Sequence, residues 1–141
     1  MDYQITCVSD KLVFIRWFSE PESVKSENQF ILDLRTVLDQ APYPIYVLSD
    51  LREGRLKNVE TIRKLADLIE HHPHFATGTA FSQDIYTPLF VGLYSRYSHQ
   101  AKTERGIWPS LEDALSFLES IAPGITKGID WDTLVCTPVL E

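Results

Sequence analysis

Two cysteines in 141 residues, Cys7 and Cys136, stand near opposite ends of the chain. A single distant pair is no disulfide framework, and two thiols are too few for a structural zinc site. They read as reduced, partly buried residues of a cytoplasmic protein. No apolar run approaches the roughly twenty residues that a membrane-crossing helix needs. The N-terminal stretch holds Asp2, Asp10 and Lys11 and lacks an apolar core, so it does not read as a signal peptide. Cationic excess is missing too. A formal charge of −7 and a pI near 5.0 give no general attraction to a phosphate backbone, and nucleic acid is not an expected partner.

The usual constellations of catalysis are also absent. Gly54 stands alone, without the glycine spacing of a phosphate-cradling loop. Ser49, Ser82 and Ser95 lie in no nucleophile-elbow sequence, and Cys7 and Cys136 lack an electropositive setting. Asp50 and Asp84 could converge at strand ends, but any α/β sheet places some carboxylates there. His71, His72, His74 and His99 suggest a metal, yet adjacent histidines diverge and Pro73 bends the chain between them. A helix terminus suits His71 and His72 better. The reading is of a non-enzyme with no metal or cofactor.

What is present is a globular chain, 44% hydrophobic with three tryptophans, and one domain's worth of residues. Tyr3 to Val8 and Leu12 to Phe18 are β-rich runs separated by Ser9-Asp10-Lys11, which predicts a hairpin. Ser26 with Gln29 forms a capping-box pattern ahead of a helix carrying Phe30, Leu34, Val37, Leu38 and Ala41 on one face. Pro42 ends it. Pro44 to Leu48 is short, β-branched and aromatic, and suits a strand covered on both faces. A second helix is expected from about Asn58 to Glu70, with Val59, Ile62, Ala66 and Ile69 as its core stripe and Leu65 beside them.

Phe75 to Gln83 reads as a third parallel strand. Thr87 and Pro88 open another expected helix, whose inner face holds Leu89, Phe90, Leu93, Tyr94 and Tyr97. Arg105 to Trp108 is a short last strand, Ser110 caps a last helix with Asp113 at its third position, and Pro123-Gly124 ends it. The order β-β-α-β-α-β-α-β-α predicts an α/β domain. Its expected form is a single mixed, largely parallel sheet with an N-terminal hairpin and about four helices. Residues 3–121 form the core, and 122–141 form a tail that packs on its own domain or reaches a second copy.

The strand end and loop from Ser49 to Lys57 hold the best candidate site, because ligands of open α/β sheets sit where strand ends meet helix starts. Arg52, Arg55 and Lys57, with the helix-start amides from Asn58 to Thr61, could hold an anion. The alternative is a solvated loop whose charges pair with Asp50, Glu53 and Glu60. Tyr86, Phe90, Tyr94, Tyr97 and Trp108 read mainly as core, with Tyr86 and Tyr97 as possible interface anchors.

Three stretches resemble the STAS-type domains, the group of the anti-sigma-factor antagonists. Pro44 to Arg52 is similar to the family's central strand running into its functional loop. His72-Pro73-His74-Phe75 is similar to the linker into the next strand. Ile107 to Leu118 is similar to the closing strand and helix of antagonist-like members. The resemblance covers roughly residues 3–121 and implies a STAS-like fold and a small cytoplasmic regulator that binds a protein. Kinase-switched members carry a Ser-Ser-Gly-type stretch at the helix start. Here Arg52 to Thr61 contains no such stretch, with Ser49 too early and Thr61 too late.

The expected function is a regulatory or protein-interaction module. It would act through Ser49, Asp50, Arg52, Arg55, Lys57, Asn58 and Thr61, and a homodimer is a further expectation. The alternative is a binding domain for an anion, nucleotide or lipid-like molecule, using the same loop.

Overall fold

Alternating side chains and the polar Ser9-Asp10-Lys11 turn make a hairpin of β1 (Tyr3–Cys7) and β2 (Leu12–Trp17), paired antiparallel with Ile5 opposite Ile15. The computed structural model describes residues 2–82 and 107–136. β2 then pairs parallel with β3 (Ile45–Asp50), and β3 parallel with β4 (Phe75–Phe81). The sheet order among the described residues is β1-β2-β3-β4. This is the mixed, largely parallel sheet expected from the sequence. Of the expected closing strand, Trp108 is bridged to Phe81.

Parallel neighbours need crossover connections, and helices supply them. α1 (Val24–Gln40) joins β2 to β3, and α2 (Val59–His71) joins β3 to β4. Residue parity along β2 and β3 sorts the core into two layers. Val13, Ile15, Trp17, Ile45 and Val47 meet Phe30, Ile31, Leu34 and Leu38 of α1 and Ile62, Leu68 and Ile69 of α2. Leu12, Phe14 and Leu48 face the other way. There they meet Ala114 and Leu118 of α3 (Leu111–Ile121) and Val135 of α4 (Trp131–Cys136). Helices therefore cover both faces of β3, which is why its sequence has almost no polar break.

Two helix readings are corrected. The cap of α1 is Ser23, not Ser26: Ser23 is extended at φ −157°, and its hydroxyl accepts from the Ser26 N–H at 3.2 Å. Ser26 already lies inside the helix, and the Gln29 amide turns instead to Asp33 at 2.8 Å. In α2, Val59 is 44% exposed and not part of the core stripe. It follows the Asn58 cap directly, and the inward face is set by Thr61, Ile62, Ala66, Leu68 and Ile69. The expected cap of α3 is present, with the Asp113 N–H donating to Ser110 Oγ at 3.2 Å. The helix expected after Thr87 lies outside the described residues.

The segment after α3 packs back onto the sheet. Trp131 meets Phe14 edge to face with ring centroids 5.6 Å apart, and Ile125, Ile129 and Leu134 join the same layer. Two carboxylates near the surface shape its path. Glu119 accepts from the Gly124 N–H at 2.7 Å and from the Thr126 N–H and hydroxyl at 2.8 and 2.6 Å. Asp130 accepts from the Thr133 hydroxyl at 2.6 Å and its N–H at 3.2 Å. Both have lowered pKa values, because these hydrogen bonds favour the charged form.

Glu119 is held at about 2, chiefly by the Thr126 hydroxyl, against an ordinary 4.5. A depressed carboxylate stabilises the fold above its unfolded pKa and loses that contribution as pH falls through the folded one. Docking of residues 124–136 should therefore weaken from about pH 4.5 down to about 2, as followed by Trp131 fluorescence. Glu119→Gln should remove most of that dependence.

Candidate functional site

The C-terminal end of β3 carries Asp50, whose side chain is 1% exposed. A carboxylate buried this deeply needs cations and hydrogen bonds to stay charged. Arg52 supplies a fork, with Nε donating to Oδ1 at 3.0 Å and Nη2 to Oδ2 at 2.8 Å. The Arg52 backbone N–H adds a third bond to Oδ1 at 3.1 Å. Arg16, opposite Asp50 in the β2–β3 register, brings Nε to 4.0 Å from Oδ2. Both guanidinium groups also reach the end of α4: Arg16 Nη1 donates to Leu134 O at 2.9 Å and Arg52 Nη2 to Val135 O at 3.0 Å. Terminal carbonyls of a helix lack intrahelical donors and carry partial negative charge, so cations suit them.

Beyond this clamp the loop is pinned at several points. The Leu51 N–H donates to Phe81 O at 3.0 Å, and Leu56 is buried in the core beneath α1 and α2. Gly54 lies so close to the β2–α1 connection that a Cβ there would stand 2.1 Å from Ser19 O. Arg55, with a side chain 12% exposed, pairs with Glu20 at 3.3 Å. Lys57 Nζ meets the other oxygen of Glu20 at 3.1 Å.

The N-terminus of α2 holds an anion that comes from the chain itself. Glu27 of α1 is 4% exposed. Its carboxylate accepts from the Lys57 and Asn58 N–H groups at 3.4 and 3.2 Å. The Thr61 hydroxyl donates to it as well. The Asn58 side chain accepts from the Glu60 N–H at 2.9 Å and the Thr61 N–H at 3.3 Å. Thr61 itself is fully buried.

The structure thus splits the seven expected site residues into groups. Asp50 and Arg52 belong to the clamp at the end of β3, Asn58 and Thr61 to the Glu27 cap, and Arg55 and Lys57 to the Glu20 pair. Ser49 is half-buried within β3, opposite Ile15 and Ala80. Glu20, Glu27 and Arg16 were not among the expected site residues. The available signal for Glu27 was its place on the inward face of α1, three residues before Phe30.

The histidines join helix ends. His72 Nε2 lies 2.7 Å from Asp39, and the His74 N–H donates to His72 Nδ1 at 3.0 Å, so Nε2 carries the proton toward Asp39. His74 Nδ1 donates to Leu38 O at 3.1 Å. With Arg35, Leu68 and His71 they border an open hollow of about 440 Å³. Among the described residues no three His, Cys, Asp or Glu side chains are placed to hold a metal ion. Ser82 is buried, its hydroxyl donating to Leu51 O at 3.3 Å, and Trp108 Nε1 donates to Thr79 Oγ1 at 3.0 Å. Asp84, Tyr86, Phe90, Tyr94, Ser95, Tyr97 and His99 lie outside the described residues.

Losing the Glu27 carboxylate leaves buried donors unpaired. Glu27→Ala should lower stability by about 2–4 kcal/mol. The check is a urea midpoint that falls with an unchanged slope. Glu27→Gln, which keeps an acceptor, should cost less.

No family model matches the chain, and no curated protein matches it. Among solved structures it is similar to the anti-sigma factor antagonist SpoIIAA in its unphosphorylated form, with a TM-score of 0.54 and 11% identity. The match covers 84% of this chain and 95% of that one. Its N-terminal hairpin, parallel strands and flanking helices give the chain the STAS-like fold of the anti-sigma factor antagonists.

Proposed function

We propose that the chain is a non-enzymatic regulatory module that binds a protein partner through the β3–α2 loop and the first turn of α2. The observation that carries this reading is the fixed shape of the loop. Asp50, Gly54, Leu56 and Glu27 hold it at successive points, so its relief exists before any partner arrives. A surface ordered in advance loses little entropy on association. Arg52, Glu53, Lys57, Val59 and Glu60 are its exposed side chains. Val59 supplies an apolar centre within a charged rim, the arrangement that protein interfaces favour.

The Glu27 carboxylate also weighs against the alternative of a small anionic ligand at the same loop. A phosphate or nucleotide would have to displace a buried internal anion from the α2 amides. Phosphorylation at Thr61 is disfavoured on the same ground, since its hydroxyl is buried against that carboxylate. The antagonist of similar fold is described by its unphosphorylated form. We read the present chain as a constitutive binder without that switch, working in the cytoplasm.

Capture of partners by the purified chain tests this reading. Glu53→Lys with Val59→Asp changes exposed side chains only and should abolish recovery of the partner while the circular dichroism spectrum is kept. Recovery undiminished by that variant would remove the loop as the binding surface. A thermal-shift screen with phosphate, nucleotides and lipid-like compounds should show no rise in Tm, because a ligand of the folded state alone raises it by mass action.

A further inference from the structure

Antiparallel pairing decides which backbone groups of β1 face its neighbour. In such a ladder, positions whose N–H and C=O point at the adjacent strand alternate with positions whose groups point away. The Val8 N–H donates to Leu12 O at 3.0 Å and the Phe18 N–H to Asp2 O at 2.7 Å. In this register the even-numbered residues, Gln4 and Thr6, therefore face β2. The amides and carbonyls of Tyr3, Ile5 and Cys7 point out of the sheet. β1 ends the sheet order, and β2 is the strand paired with it among the described residues.

Sheet edges are commonly blunted by lysine, proline, a bulge or an inward-pointing charge. Tyr3–Cys7 reads Tyr-Gln-Ile-Thr-Cys, with no charge and no proline, and its register with β2 is unbroken. The chain as a whole carries −7. Two copies of an acidic chain repel over most of their surfaces, and an uncharged strand is where they approach at least cost. The strand is also self-complementary. With a two-fold axis at Ile5, Tyr3 opposes the partner's Cys7, Gln4 opposes the partner's Thr6, and each outward donor meets an outward acceptor.

We propose that the open edge of β1 is a self-association surface, where a second copy of this chain adds antiparallel about a two-fold axis at Ile5. The two sheets then become one continuous sheet. β2 separates β1 from β3, the strand that leads into the β3–α2 loop. The inference is independent of what that loop binds.

Sedimentation of the whole chain over a concentration series, under reductant so that exposed Cys7 forms no crosslink, should show a reversible dimer. Amide exchange should show Tyr3, Ile5 and Cys7 protected in the dimer and fast on dilution, with Gln4 and Thr6 protected throughout. Gln4→Glu with Thr6→Glu sets like charges opposite each other, and so does Gln4→Lys with Thr6→Lys. Each variant alone should be monomeric, and mixing the two should restore a dimer. A chain that stays monomeric at every concentration overturns the proposal. So does a dimer whose Tyr3, Ile5 and Cys7 amides exchange freely, or a dimer that survives in either charged variant. If the variants fail to fold, the exchange pattern of the unaltered chain decides alone.

Discussion

A carboxylate closed off from water at the end of a strand has to be answered by positive charge, and Asp50 is answered from two directions. Arg16 reaches it from β2 and Arg52 from the loop. The desolvation of such a group is costly, so removing one member would leave an uncompensated charge in the interior. That requirement sets the position of the loop, because the Arg52 fork can meet both oxygens only if the chain turns directly after β3. It also sets the position of α4, whose Leu134 and Val135 carbonyls accept from Arg16 Nη1 and Arg52 Nη2. One buried charge thereby joins two strands, a connection and the C-terminal helix.

A second internal anion does comparable work on the other face. Glu27 bridges α1 to the start of α2 at the place where helix dipole and open amides favour negative charge. Both acids act by being enclosed, and neither leaves an empty charged site. The loop between them is a shaped surface whose exposed side chains include Glu53, Lys57, Val59 and Glu60. At the hairpin, Tyr3 gives a milder instance. Burial first, and then the hydrogen bond to Asp33, push its phenol well above its usual range. The hydroxyl stays a donor and ties β1 to α1.

The strands were legible because their sequences carry their burial. Leu12 to Ile15 and Ile45 to Leu48 are continuous apolar runs, and both are covered on two faces. Ser110 with Asp113 was legible because a cap is a local contact. Ser23 and Ser26 show the limit of that argument: both satisfy the composition of a cap, and the chain's approach at Ser23 decides between them. Val59 shows another limit, since the apolar stripe of α2 is fixed by where Asn58 starts the helix as much as by spacing. The basic residues of the loop were found by type, but their partners were not. Glu20, Glu27 and Arg16 are distant in sequence from the groups they meet. Only the packing of α1 and β2 against the sheet brings them there.

The hold on α4 has a consequence for how the chain tolerates change. The guanidinium groups of Arg16 and Arg52 grip main-chain oxygens of Leu134 and Val135, so this part of the attachment reads shape and polarity without reading residue identity. This part of the hold survives a change of side chain at 134 or 135 so long as a short helix still ends there with its oxygens open, while the packing of Trp131, Leu134 and Val135 does depend on their side chains. The two arginines have no such latitude. A lysine in place of Arg52 offers a point charge where a planar fork now serves a carboxylate and a carbonyl together.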